Sequence, residues 1–483
     1  MNEIFHRHNA RRINLRKKRD PAARANSAEG VCPKNALLLI VSFALVVLLL
    51  GGSSKYEEAH FALLRPLAAL FLGAALWHSS AESIRGYRFH FILLFALALW
   101  TALQLVPLPP VIWQALPDRE VLAKIDVLLG LEGHWRPISF VPSRTLNALA
   151  SLIVPGCALL LVLVHQRSEL RLVILLLVAG MGVLDAVLGI GQVLTGRDSL
   201  LYLYGATNDG APAGIFANEN HSAAFSVISM LVIARLATTP RVGAMMRWIR
   251  FAAGPAFLLV FLCVLVSGSR AGLALAALSL MAVGLMFWIA RRVTQEGYRP
   301  TMPARGFHLP RQIIFPFLGA GVATSLLVYF LFERTPAFED LVQQSAFEDL
   351  RLQIAPVLGE MMSNFWLLGA GFGTFEDVYH IYEPTALLIP HYVNQAHNDL
   401  AQLVIEGGLP ATILLLLLMA WILSAVRALI IRRGTLILGI FWMTVVIVLA
   451  AASLVDYPLR TPIFQVLGVW LVVLLAEDRR VLE

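Results

Sequence analysis

Three residues in this chain have the chemistry to act together on a phosphorylated substrate: Arg270, Arg351 and His397. Arg270 closes a tight Ser267-Gly268-Ser269 turn between two apolar runs. Arg351 sits in a helical-looking stretch, LRLQIAPVLGEMMSNFWLL, and His397 stands where a long polar segment meets the next apolar run. That segment holds ten acidic residues between Glu333 and Asp399 and only two cationic ones, Arg334 and Arg351. Two arginines can grip a diphosphate through forked, charge-assisted hydrogen bonds. A neutral histidine can take a proton from a hydroxyl near neutral pH.

Each of these residues also has a plainer reading. Arg270 can be a cation snorkelling to the membrane boundary. His397 can be a first-turn helix residue bonded to a carboxylate. Asp399, only two positions on, is a poor partner for it, because residues two apart do not share a helix face. His391 is a rival base. Asn220, in GIFANENHSA (214–223), is either a helix N-cap or a ligand-binding residue. Asn398 and Glu406 belong to the same stretch as His397, AHNDLAQLVIEGGLP (396–410), without a role that spacing alone assigns.

The elements that must position these groups are membrane helices. Of the 483 residues, 58% are hydrophobic and 14% charged, which excludes an ordinary soluble domain. Apolar runs of roughly 18 to 22 residues match the length that crosses ~30 Å of hydrocarbon as helix. Twelve such spans are expected, at about 35–52, 60–78, 89–108, 146–164, 171–194, 220–238, 251–269, 271–290, 313–332, 400–424, 435–455 and 461–476. The chain thus divides into a basic tail (1–34), spans 1–9 (35–332), a large loop (333–399) and spans 10–12 with a short tail (400–483). The tail is expected to be disordered near anionic headgroups, and the first span to be a retained signal anchor.

Cation placement orients the set. With both ends cytoplasmic, 27 of the 38 Lys and Arg residues fall on the cytoplasmic side and 11 on the other. The 333–399 loop, expected to be partly helical around Arg351, then lies outside the cytoplasm. So do the 109–145 and 196–219 loops and the 267–270 turn. The net charge of +7 is therefore a topology signal and does not argue for nucleic acid. Cys32, Cys157 and Cys263 form no disulfide framework or zinc spacing. No nucleotide-binding glycine loop, metalloprotease motif or nucleophile elbow is present. GAGFGTF (369–375) does not follow a strand, so it reads as a turn at the membrane surface.

In order and spacing, GIFANENHSA, SGSRAGL, the arginine-led helix running into LLGAGFGTF, and AHNDLAQLVIEGGLP resemble the O-antigen ligase and polymerase superfamily of bacterial polysaccharide assembly. The likeness covers roughly residues 200–425. It implies an all-α polytopic inner-membrane protein whose large periplasmic loop lies between spans 9 and 10. It also implies a glycosyltransferase that uses no cofactor and no metal. The donor would be an undecaprenyl-diphosphate-linked glycan, and the acceptor lipid A-core or a growing glycan. Carried over by motif, Arg270 and Arg351 would bind the diphosphate and His397 would be the base. The motifs do not separate ligases from polymerases or from relatives that glycosylate proteins. A twelve-span secondary transporter or polysaccharide exporter is the rival from another class, although here the polar residues gather at one face.

Overall fold

A computed structural model describes residues 33–480, apart from 56–58, 80–83, 165–166, 197, 205–210, 240–243, 297–345, 389–392 and 433. Among these residues every named element is helical, and one isolated bridge pairs Leu108 with Arg136. The α-helices are α1 Pro33–Leu50, α2 His60–His78, α3 Arg88–Leu103, α4 Pro110–Trp113, α5 Glu120–Leu128, α6 Pro142–Ser151, α7 Ile153–Leu161 and α8 Arg167–Thr195. They continue as α9 Glu219–Thr238, α10 Ala244–Val266, α11 Arg270–Glu296, α12 Ala346–Phe365, α13 Phe375–Tyr382, α14 Asp399–Ile431, α15 Leu436–Val455 and α16 Pro462–Arg480.

Eight helical stretches among the described residues are long and apolar enough to cross a membrane: α2, α6–α7 (Pro142–Val164), α8, α9, α10, α11, α14 and α15. They fall at eight of the twelve expected spans. Two shorter apolar helices, α1 and α3, and the charged-ended α16 lie at three more. The expected ninth span, 313–332, lies outside the described residues, as do most of the basic tail and Cys32.

The bundle is built around α9. Nearly all of it is buried, and it packs on α8, α10, α11 and α15. In lipid, apolar burial offers little drive for helix association, so close backbone approach through small residues does more. Gly182 of α8 shows this: a Cβ there would lie 2.3 Å from Ser229 Cβ of α9.

The two ends of the bundle are chemically different. At one end, Asp478 of α16 is buried and accepts from Trp442 Nε1 at 2.8 Å and Arg235 at 2.7 Å. Tyr87 donates to Glu477 at 2.5 Å beside them. The other end gathers the loops that the cation count assigns to one side. There Ala217 donates to Gly52 O, and Gly272 of α11 abuts Ala223 of α9. Phe140 of the 109–145 loop donates to Ala370 O of the glycine turn at 2.9 Å.

The glycine turn and α14 are joined backbone to backbone. Gly408 has φ 59° and ψ −158°, which breaks α14 into a short entry helix and a long span. Pro410 has no N–H to offer Glu406 O four residues back. That carbonyl instead accepts from Gln104 Nε2 at 2.9 Å and from Gly371 N at 3.1 Å, and Trp100 Nε1 reaches Gly407 O at 2.7 Å. A Cβ on Gly369 would meet Glu406 O at 2.2 Å, and one on Gly408 would meet Gly369 N at 2.6 Å. Glycine permits the contacts and adopts the positive φ without strain.

Candidate active site

Asn398 starts the entry helix. Its extended backbone and its Oδ1, which accepts from Leu400 N at 3.0 Å and Ala401 N at 2.9 Å, satisfy two of the orphan amides of a helix N-terminus. Its Nδ2 donates to Leu454 O at the end of α15. On the other side of His397, Ala396 N donates to Gln402 Oε1 at 3.0 Å. Fixed at both neighbours, His397 adopts φ 49°, a left-handed conformation that costs a non-glycine residue ~1–3 kcal/mol.

In this conformation the imidazole faces Asp456. His397 Nδ1 lies 3.3 Å from Asp456 Oδ1, and the ring meets Tyr457 edge-on at 4.9 Å. Asp456 is buried at the C-terminal end of α15. Its oxygens also approach Asn218 Nδ2 at 3.4 Å and His221 Nε2 at 3.9 Å, both from the start of α9. The His397 side chain is 18% exposed.

Asp399 is not the histidine's partner, as residue spacing alone indicates. It accepts from Leu459 N at 3.1 Å and faces Arg460. Glu406 is fully buried and receives Arg460 at 2.6 Å, Gln402 Nε2 at 3.0 Å and Phe375 N at 3.3 Å. These contacts of Asn398 and Glu406 hold the entry helix in place. The cap of α9 is Asn218, not Asn220: Asn218 is extended and accepts from Asn220 N at 2.8 Å, while Asn220 is already helical.

Arg270 is the first residue of α11. Ser269 Oγ accepts from Gly272 N at 3.0 Å and caps that helix. Gly272 packs on Ala223, so Arg270 stands at the end of the bundle that carries His221, Asp456 and His397. Arg351 lies on α12, whose Ile354, Val357 and Met361 share a small core with Ile405 of α14. The Arg351 side chain and His391 lie outside what the structure describes. No group of three or more His, Cys, Asp and Glu among the described residues is arranged to hold a metal ion.

Spacing does not foresee the groups that complete this end. Asp456, Arg460, Gln104, Arg65 and Arg144 come from distant parts of the chain. Asp185 proves to bind Ile215 N at 2.9 Å and Ser222 Oγ at 2.8 Å, fastening the loop before α9.

A family model described as O-antigen ligase matches residues 255–416. Residues 255–416 are similar to the O-antigen ligase family. The match, about a third of the chain, bears out the resemblance of the motifs, and it contains Arg270, Arg351, His397, Asn398 and Glu406. Asp456 and Arg460 lie beyond it, and Gln104, Asn218 and His221 precede it. No curated protein matches the chain. The match together with the apolar helices fits a multi-pass membrane protein.

Proposed function

We propose that this protein is a glycosyltransferase of the bacterial inner membrane. It would move a glycan from undecaprenyl diphosphate to an acceptor hydroxyl, with its site on the periplasmic face. The observation that supports the reading is the His397–Asp456 pair at the same end of the bundle as Arg270, with His397 and Arg270 inside the region that matches the O-antigen ligase model.

In the proposed step, His397 Nε2 takes the proton of the acceptor hydroxyl as its oxygen bonds to the anomeric carbon. The bond from that carbon to the diphosphate oxygen breaks, and the electron pair leaves with the lipid diphosphate. Direct displacement inverts the anomeric configuration. Asp456 holds the imidazole in the tautomer that exposes Nε2 and stabilises the imidazolium that forms. Arg270 and Arg351 neutralise the departing diphosphate, a task otherwise given to a metal ion. The acceptor would be lipid A-core in a ligase, or a lipid-linked glycan in a polymerase. Deleting the gene tests the reading. Accumulated long lipid-linked polymer without capped core indicates a ligase, single repeat units indicate a polymerase, and unchanged glycans overturn both.

A further inference from the structure

A second polar site lies beside the first. It is a pocket of about 140 Å³ walled by α2, α6, the glycine turn, the entry helix of α14 and the start of α16. Three arginines line it. Two are neutralised in place: Arg144 faces Glu376 and Asp377 at 3.4 and 3.2 Å, and Arg460 faces Glu406 at 2.6 Å. Arg65 differs. It stands in the first turns of a helix apolar enough to cross a membrane, and among the described residues no carboxylate pairs with it. Its guanidinium donates to Asn147 Oδ1 at 2.6 Å, a neutral partner, and lies over the Phe61 ring at 5.4 Å.

A lone cation in an apolar span is costly, and a polar cavity beside it marks a binding site more readily than a packing accident. The rest of the wall is rich in amides, the groups that bind sugar hydroxyls. Gln395 and Gln402 bond each other at 2.6 Å across one side. On the other side, Gln465 has a buried Oε1 with no hydrogen-bond partner among the described residues. Gln395 is two residues from His397, so a sugar held here lies next to the histidine.

We infer that this pocket binds a sugar bearing an anionic substituent, phosphate or carboxylate, with Arg65 as its counter-ion. The inference rests on the glycosyltransferase reading for its sugar, and on the charge of Arg65, which no carboxylate pairs among the described residues, for its anion. Either substrate could carry the group.

Binding is tested apart from turnover. Purified detergent-solubilised protein is titrated by thermal shift with glucose 6-phosphate, glucuronate, glucose and inorganic phosphate. The two acidic sugars should raise the melting temperature well beyond glucose or phosphate. Arg65→Gln should weaken their binding at least about tenfold, the loss of one charge-assisted bond. Asn147→Asp keeps the arginine and the fold but neutralises it in place, and should do the same. Acidic-sugar binding by Asn147→Asp equal to wild type overturns the inference, as does equal stabilisation by glucose. In turnover with acidic donor and acceptor glycans, Arg65→Gln should raise the KM of whichever substrate carries the group. Unchanged KM for both overturns the site while leaving the transferase reading intact. Binding without any transfer leaves the site standing and sinks that reading instead.

Discussion

His397 and Asp456 stand 59 residues apart in sequence, yet Nδ1 of one lies 3.3 Å from Oδ1 of the other. If the carboxylate sets the tautomer of the base, Asp456→Asn should fold normally and bind donor normally. Turnover should fall by about 10²- to 10⁴-fold, the scale of general-base catalysis and of a misoriented imidazole. Wild-type turnover in this variant would reduce Asp456 to a packing role.

Removing the imidazole separates chemistry from strain. His397→Ala and His397→Gly should both lose turnover by the same ~10²- to 10⁴-fold. At φ 49° glycine is relaxed and alanine is not, so the glycine variant should melt at the higher temperature. Near-normal activity in either variant would remove the histidine from the mechanism. A lower melting temperature for the glycine variant would show that the backbone is not strained.

The arginines are tested by shape as well as charge. Arg270→Lys and Arg351→Lys keep the charge and lose the fork, so each should be impaired, while the alanine variants should be nearly inactive. Wild-type activity should persist in EDTA. Its loss there would replace the arginine mechanism with a metal.

The joint between the glycine turn and α14 should be intolerant of side chains. Gly408→Ala puts a Cβ 2.6 Å from Gly369 N at φ 59° and should destabilise the protein by more than about 2 kcal/mol. Gln104→Leu strips hydrogen bonds from Leu368 O, Glu406 O and Phe372 N, and should cost about 2–4 kcal/mol. Denaturation in mild detergent reads both, and a wild-type midpoint in either variant would contradict the joint.

Sidedness is open to cysteine labelling. Ser363 on α12 is exposed at the His397 end, and Arg432 is exposed at the other. On intact spheroplasts, Ser363→Cys should react with an impermeant maleimide and Arg432→Cys should not. The reverse pattern would invert the orientation drawn from the cation split.

Much of this site could be read from sequence because its motif residues sit at boundaries. Arg270 and His397 stand where polar sequence meets apolar, and the helix around Arg351 and the turn at Gly369 are local patterns. What spacing could not show is pairing across the fold. Asp456 reads as the first polar residue after an apolar run, and Gln104 as a span-end amide. Each acquires its partner only when α3, α9, α14 and α15 meet. The break at Gly408 was likewise hidden, because Gly-Gly-Leu-Pro sits inside an apolar run that reads as one continuous span.

The separation of His397 from Asp456 also sets an order of events during synthesis. At about 5–20 residues per second, a ribosome needs roughly 3–12 s to add the 59 residues that separate them. Through that interval the nascent chain already holds Arg270, Arg351 and His397, but the carboxylate that orients the histidine does not yet exist. On the proposed mechanism the base therefore matures late, when the turn after α15 docks onto the starts of α9 and α14, and a partly inserted chain would lack the carboxylate partner of His397.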